Sequence, residues 1–111
     1  MKTNSEIIEA MEKLHNEGFK TFASIEPVID FRSSWEMIAL THEFCDLYKI
    51  GLMSGKSYDK LDLNVFIEII NRFIANNIYF KDYLLKASGI NRDELPANCV
   101  NRDYNIFKTN L

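Results

Sequence analysis

The stretch TFASIEPV, Thr21 to Val28, decides the fold. It is short, rich in β-forming residues and stopped by Pro27, which predicts a strand. Side chains alternate across a strand, so Ala23 and Ile25 share one face while Phe22, Ser24 and Glu26 share the other. One face is apolar; the other carries a hydroxyl and a carboxylate beside an aromatic ring.

Two further stretches repeat that division. In DLYKIGLM, Asp46 to Met53, the residues Tyr48, Ile50 and Leu52 oppose Leu47, Lys49, Gly51 and Met53. In the short segment Ile78 to Lys81, Ile78 and Phe80 oppose Tyr79 and Lys81. Between and around these strands the apolar spacing becomes helical. Ser5 to Asn16 places Ile7, Ile8, Met11 and Leu14 on one stripe, with Gly18 just beyond. Ser33 to Phe44 opens on a capping box formed by Ser33 and Glu36 and carries Trp35, Ile38, Leu40 and Phe44. Leu61 to Asn77 is the strongest helix, with Leu63, Phe66, Ile67, Ile70, Phe73 and Ile74 in 3, 4 spacing. Asp82 to Ala87 is a short helix ending at Gly89.

Strands separated by helices imply right-handed crossovers, and hence an α/β fold built on a three-stranded parallel sheet. Such a unit resembles a segment of a (β/α) partial barrel; a small open α/β sandwich is the other architecture consistent with the order. The 111 residues fit a single domain, 1–111, with an α/β core over 1–89 and an irregular, extended C-terminal tail over 90–111. Leu95, Tyr104, Ile106 and Phe107 are the residues expected to dock the tail.

The polar face gathers Ser24, Glu26, Lys49 and Lys81. Structural parallel sheets are usually apolar on both faces, so a polar face marks a pocket or a solvated surface with an ordinary Glu26–Lys49 ion pair. In α/β folds ligands sit beyond the carboxyl ends of the strands, where Glu26, Pro27 and Asp30, then Met53 to Gly55, then Lys81 and Asp82 would cluster.

Composition excludes several functions. A net charge of −3 with no basic run argues against an electrostatic grip on nucleic acid. The most apolar stretch, Val65 to Ile74, is broken by Glu68, Asn71 and Arg72 and is too short to span a bilayer, while the first residues are too polar for a signal peptide. Cys45 and Cys99 form no CxxC or zinc pattern and read as reduced thiols of a cytoplasmic protein. His15 and His42 lack ligand spacing, so no metal site is expected, and Gly51 to Lys56 falls short of a phosphate loop.

The stretch Thr21 to Asp30 (TFASIEPVID) resembles a late strand of radical S-adenosylmethionine enzymes, particularly the branch similar to spore photoproduct lyase. Asp46 to Leu52 is similar to the following barrel strand, and Tyr79 to Asp82 and Cys99 to Asp103 resemble the closing segment. The resemblance extends over about residues 7 to 107. It implies that Glu26 and Lys49 line a cofactor or substrate pocket, and alternation adds Ser24 to them. The family's CxxxCxxC loop, whose three thiolates hold a 4Fe–4S cluster, has no counterpart here, and the chain begins downstream of where it would lie. Alone, the chain is expected to bind no cluster, and S-adenosylmethionine only if an N-terminal barrel partner completes the pocket. The competing expectation is a non-enzymatic α/β domain that binds a partner or itself through its open sheet edge, forming a homo-oligomer. An independent enzyme using Glu26 and Lys49 finds no nucleophile–base pair to support it.

Overall fold

A computed structural model describes residues 4–28 and 30–105. Helix α1 (Asn4–Asn16) leads through Gly18, at φ 89°, into strand β1 (Phe22–Val28). Helix α2 (Phe31–Thr41) and a 3-10 turn at His42–Phe44 precede β2 (Leu47–Leu52). Helix α3 (Lys60–Phe73), β3 (Asn77–Phe80), α4 (Asp82–Ser88) and a 3-10 turn at Arg92–Glu94 complete the order.

The sheet is parallel throughout, in the order β1-β2-β3. Its apolar face carries Tyr48, Ile50, Leu52, Ile78 and Phe80 into one core with Ile38 of α2, Leu63, Phe66, Ile67 and Ile70 of α3, and Leu84 and Leu85 of α4. Met11 of α1 packs against the same core. The helices therefore clad one side of the sheet. The Tyr48 hydroxyl, buried there, donates to the Ile38 carbonyl (3.0 Å) and meets the Thr41 hydroxyl (2.5 Å), so the ring is buried without an orphaned polar atom.

Three local features differ from the sequence reading. Helix α2 starts at Phe31, not Ser33, because the Asp30 carboxylate caps it, accepting from the Arg32 amide (3.2 Å) and the Ser33 hydroxyl (2.7 Å). Those two donors hold the Asp30 carboxyl below its ordinary range, Ser33 first, and Glu36 pairs instead with Arg32 at 3.3 Å. Helix α3 stops at Phe73, short of Asn77, because Asn76 serves the backbone: its amide donates to the His42 and Cys45 carbonyls, both at 2.6 Å. The tail is less irregular than expected, since Cys99 forms a parallel bridge to Ile78, with Ile78 N–H donating to Asn98 O (3.0 Å) and Val100 N–H to Ile78 O (2.8 Å). Leu95 packs on the core and the Tyr104 hydroxyl accepts from Asn77, whereas Ile106 and Phe107 lie outside the described residues.

The amino ends of the strands are stitched by polar groups. Thr21 donates its amide to Asp46 Oδ2 (2.7 Å) and its hydroxyl to Phe44 O (2.5 Å), and the Asn98 amide reaches Asn76 O (2.8 Å). No helix among the described residues is long and apolar enough to cross a membrane.

Phe80 is fully buried at the centre of this core. Phe80→Ala is expected to cost about 3–5 kcal/mol. That is a large part of the roughly 5–15 kcal/mol typical of a domain, so the urea midpoint should fall steeply with the slope unchanged.

Candidate functional site

The face the helices leave is organised in rows by the parallel register. Phe22, Leu47 and Asn77 form the lowest row, and Ser24, Lys49 and Tyr79 the next. Above them Gly51 of β2 is flanked by Glu26 of β1 and Lys81, the residue after β3. Between Ile25 and Val28 the register slips: β1 spends three steps where β2, from Ile50 to Leu52, spends two. This bulge at Glu26 and Pro27 turns Val28 into the core instead of onto the polar face.

Glu26 does not pair with Lys49. Lys49 stands opposite Ser24, one row below Glu26, and its ammonium lies over the Phe22 ring, 5.1 Å from the centroid. The Glu26 carboxylate is taken by the Lys81 ammonium, at 2.6 Å to Oε2 and 2.7 Å to Oε1. The pair spans from β1 to the end of β3 across the central strand, over the gap that Gly51 leaves there. A Cβ on Gly51 would lie 3.0 Å from Lys81 Cδ and 3.3 Å from Glu26 Cδ. The Gly51 gap was readable as a glycine inside a strand, a mark of close approach, yet only the register says which side chains approach.

Just above the pair, Glu26, Leu52, Ser54, Lys81 and Tyr83 line a cleft of about 200 Å³. It opens at the carboxyl ends of the strands, where α/β folds place ligands. Tyr58 fixes the loop behind it, its hydroxyl donating to Val28 O and accepting from the Met53 amide (3.0 Å). At the far edge Arg92 donates to Phe80 O and Asp82 Oδ1, both at 2.7 Å, and lies 5.3 Å from the Tyr79 ring centroid. Tyr83, Tyr58 and Arg92 were not singled out by the sequence as members of this site.

The remaining chemistry-bearing residues stand apart from it. Cys45 donates to Leu47 O (3.2 Å) and Cys99 to Asn71 Oδ1 (3.3 Å), and neither is in a disulfide. Burial pushes both thiols up to about 11. Among the described residues no three His, Cys, Asp or Glu side chains gather as metal ligands. Comparison with family models, curated proteins and solved structures finds no match to the chain.

Two outcomes follow from this geometry. Both charges of the Glu26–Lys81 pair are more than a third exposed, at 35% and 38%, so a double-mutant cycle with Glu26→Gln and Lys81→Met should give a coupling below about 1 kcal/mol. The thiols ionise near 9.0 when unfolded but only near about 11 when folded, so the folded state holds its protons longer. Stability should therefore fall as pH rises through that window, and urea midpoints of the Cys45→Ala, Cys99→Ala double variant should show a shallower fall.

Proposed function

We propose that the chain forms the C-terminal wall of a (β/α) barrel that resembles radical S-adenosylmethionine enzymes, with Ser24, Glu26 and Lys49 lining a cofactor or substrate pocket. One observation carries this reading: a parallel sheet covered by helices on one side presents rows of polar side chains on the other, rising to a cleft at the carboxyl ends of the strands. A parallel sheet covered on both sides is usually apolar on both, so a polar face is one left open to a ligand or to solvent. Among the described residues β1 has a strand neighbour on one side only, which suits pairing with the next strand of an N-terminal barrel partner.

The cluster of that family does not fit this chain's own residues. Three thiolates are needed, and Cys45 and Cys99 sit on separate elements with their S–H groups turned to Leu47 O and Asn71. The partner must supply the cluster loop, and S-adenosylmethionine would bind only in the completed pocket. Free thiols support a reducing, cytoplasmic setting.

A reading frame encoding a CxxxCxxC loop is expected beside this one in its genome. Calorimetry of the co-expressed pair with S-adenosylmethionine should register heat that this chain alone does not give; a pair that binds none overturns the proposal.

The second reading is a self-associating interaction domain. It is favoured by the exposed Phe22 on the open strand, with Ile7, Leu14 and Phe19 exposed on and after the adjoining α1. Light scattering should then give a particle of at least a dimer of the 13.0 kDa chain, and a monomer at all concentrations removes this reading.

A further inference from the structure

We propose that Lys49, with Ser24 as its register partner on β1, is a subsite for the anionic group of a ligand, a carboxylate or a phosphate. The inference rests on the pocket-wall reading and gives that pocket its charge preference.

Most charges of this face are already answered. Glu26 is held by Lys81, and Asp82 by Arg92. Lys49 is half-buried, and among the described residues no carboxylate is in ion-pair contact with it. Its one aromatic neighbour, Phe22, takes the positive charge against a ring face but accepts none of the three ammonium hydrogens. Beside a half-buried side chain part of the surroundings is protein instead of water, so an anion placed there gains more than at a freely solvated lysine.

The neighbours in the same row add a hydroxyl donor. Ser24 is the register partner of Lys49 on one side, and among the described residues its hydroxyl makes no hydrogen bond. Tyr79 is the partner on the other side, and the Arg92 guanidinium lies over its ring. An ammonium and a hydroxyl borne by register partners on neighbouring strands offer the charge-assisted contacts that carboxylates and phosphates take. The preference is local, because the chain as a whole carries a net charge of −3 and repels anions elsewhere.

Titration of the full chain with inorganic phosphate and, separately, with acetate, at constant ionic strength and read by amide chemical shifts, tests the subsite. Saturable shifts are expected at Ser24, Lys49 and Tyr79. Saturation by phosphate alone assigns a phosphorylated ligand, by acetate alone a carboxylate, and by both an anion of either source; each supports the subsite. Lys49→Met should weaken binding by roughly tenfold or more, the loss of one charge-assisted contact. Ser24→Ala should weaken it less, and Lys49→Arg, which keeps the charge, should retain it. Shifts that never saturate, that spread equally over Lys13, Lys20, Lys60 and Lys86, or that survive in Lys49→Met overturn the subsite. Heat from S-adenosylmethionine in the co-expressed pair would persist through that failure, so the two proposals fall separately.

Discussion

The central strand governs this structure, because β2 pairs with both β1 and β3 and its pleat sorts every side chain it carries. Tyr48, Ile50 and Leu52 go under the helices, where area removed from water supplies the main driving force. Lys49 and Gly51 are thereby sent to the opposite side. A one-residue slip of β2 would bury the ammonium and expose the tyrosine, so the polar arrangement and the core are secured by the same pairing.

What the sheet presents away from its helices follows from that sorting. The absence of a Cβ at Gly51 lets a carboxylate from one outer strand meet an ammonium from the end of the other. Such a bridge, open to solvent, contributes little to stability. Its effect is positional: it occupies Glu26 and so leaves Lys49, a row lower, with an aromatic ring as its neighbour and no countercharge among the described residues.

Much of this was legible before any coordinates. Alternation in three short stretches, separated by helical spacing, gave the parallel order and put Ser24, Glu26, Lys49 and Lys81 on one face. The pairing among them was not legible, because face membership follows from parity while partnership follows from register, and register depends on neighbouring strands. The bulge at Glu26 and Pro27 is likewise a property of two strands together. Helix ends went wrong where side chains compete with the backbone: Asp30 caps ahead of Ser33, and Asn76 turns from helix continuation to binding the carbonyls of His42 and Cys45. The bridge at Cys99 carried no signal, since a contact of one residue has no periodicity to read.

The Asn76 amide has a consequence for how such a chain can change over time. Together with Thr21, Asp46 and Asn98 it fastens the lower margin of the sheet, the end from which the strands set out. The upper margin, where Ser54 and Gly55 lie exposed, owes its shape to a few contacts such as that of Tyr58. Strand order and spacing are thus guaranteed from below, and the segments above can be lengthened, shortened or exchanged with the scaffold intact. Selection acting on such a molecule can search for new specificities at one margin while the architecture is inherited from the other.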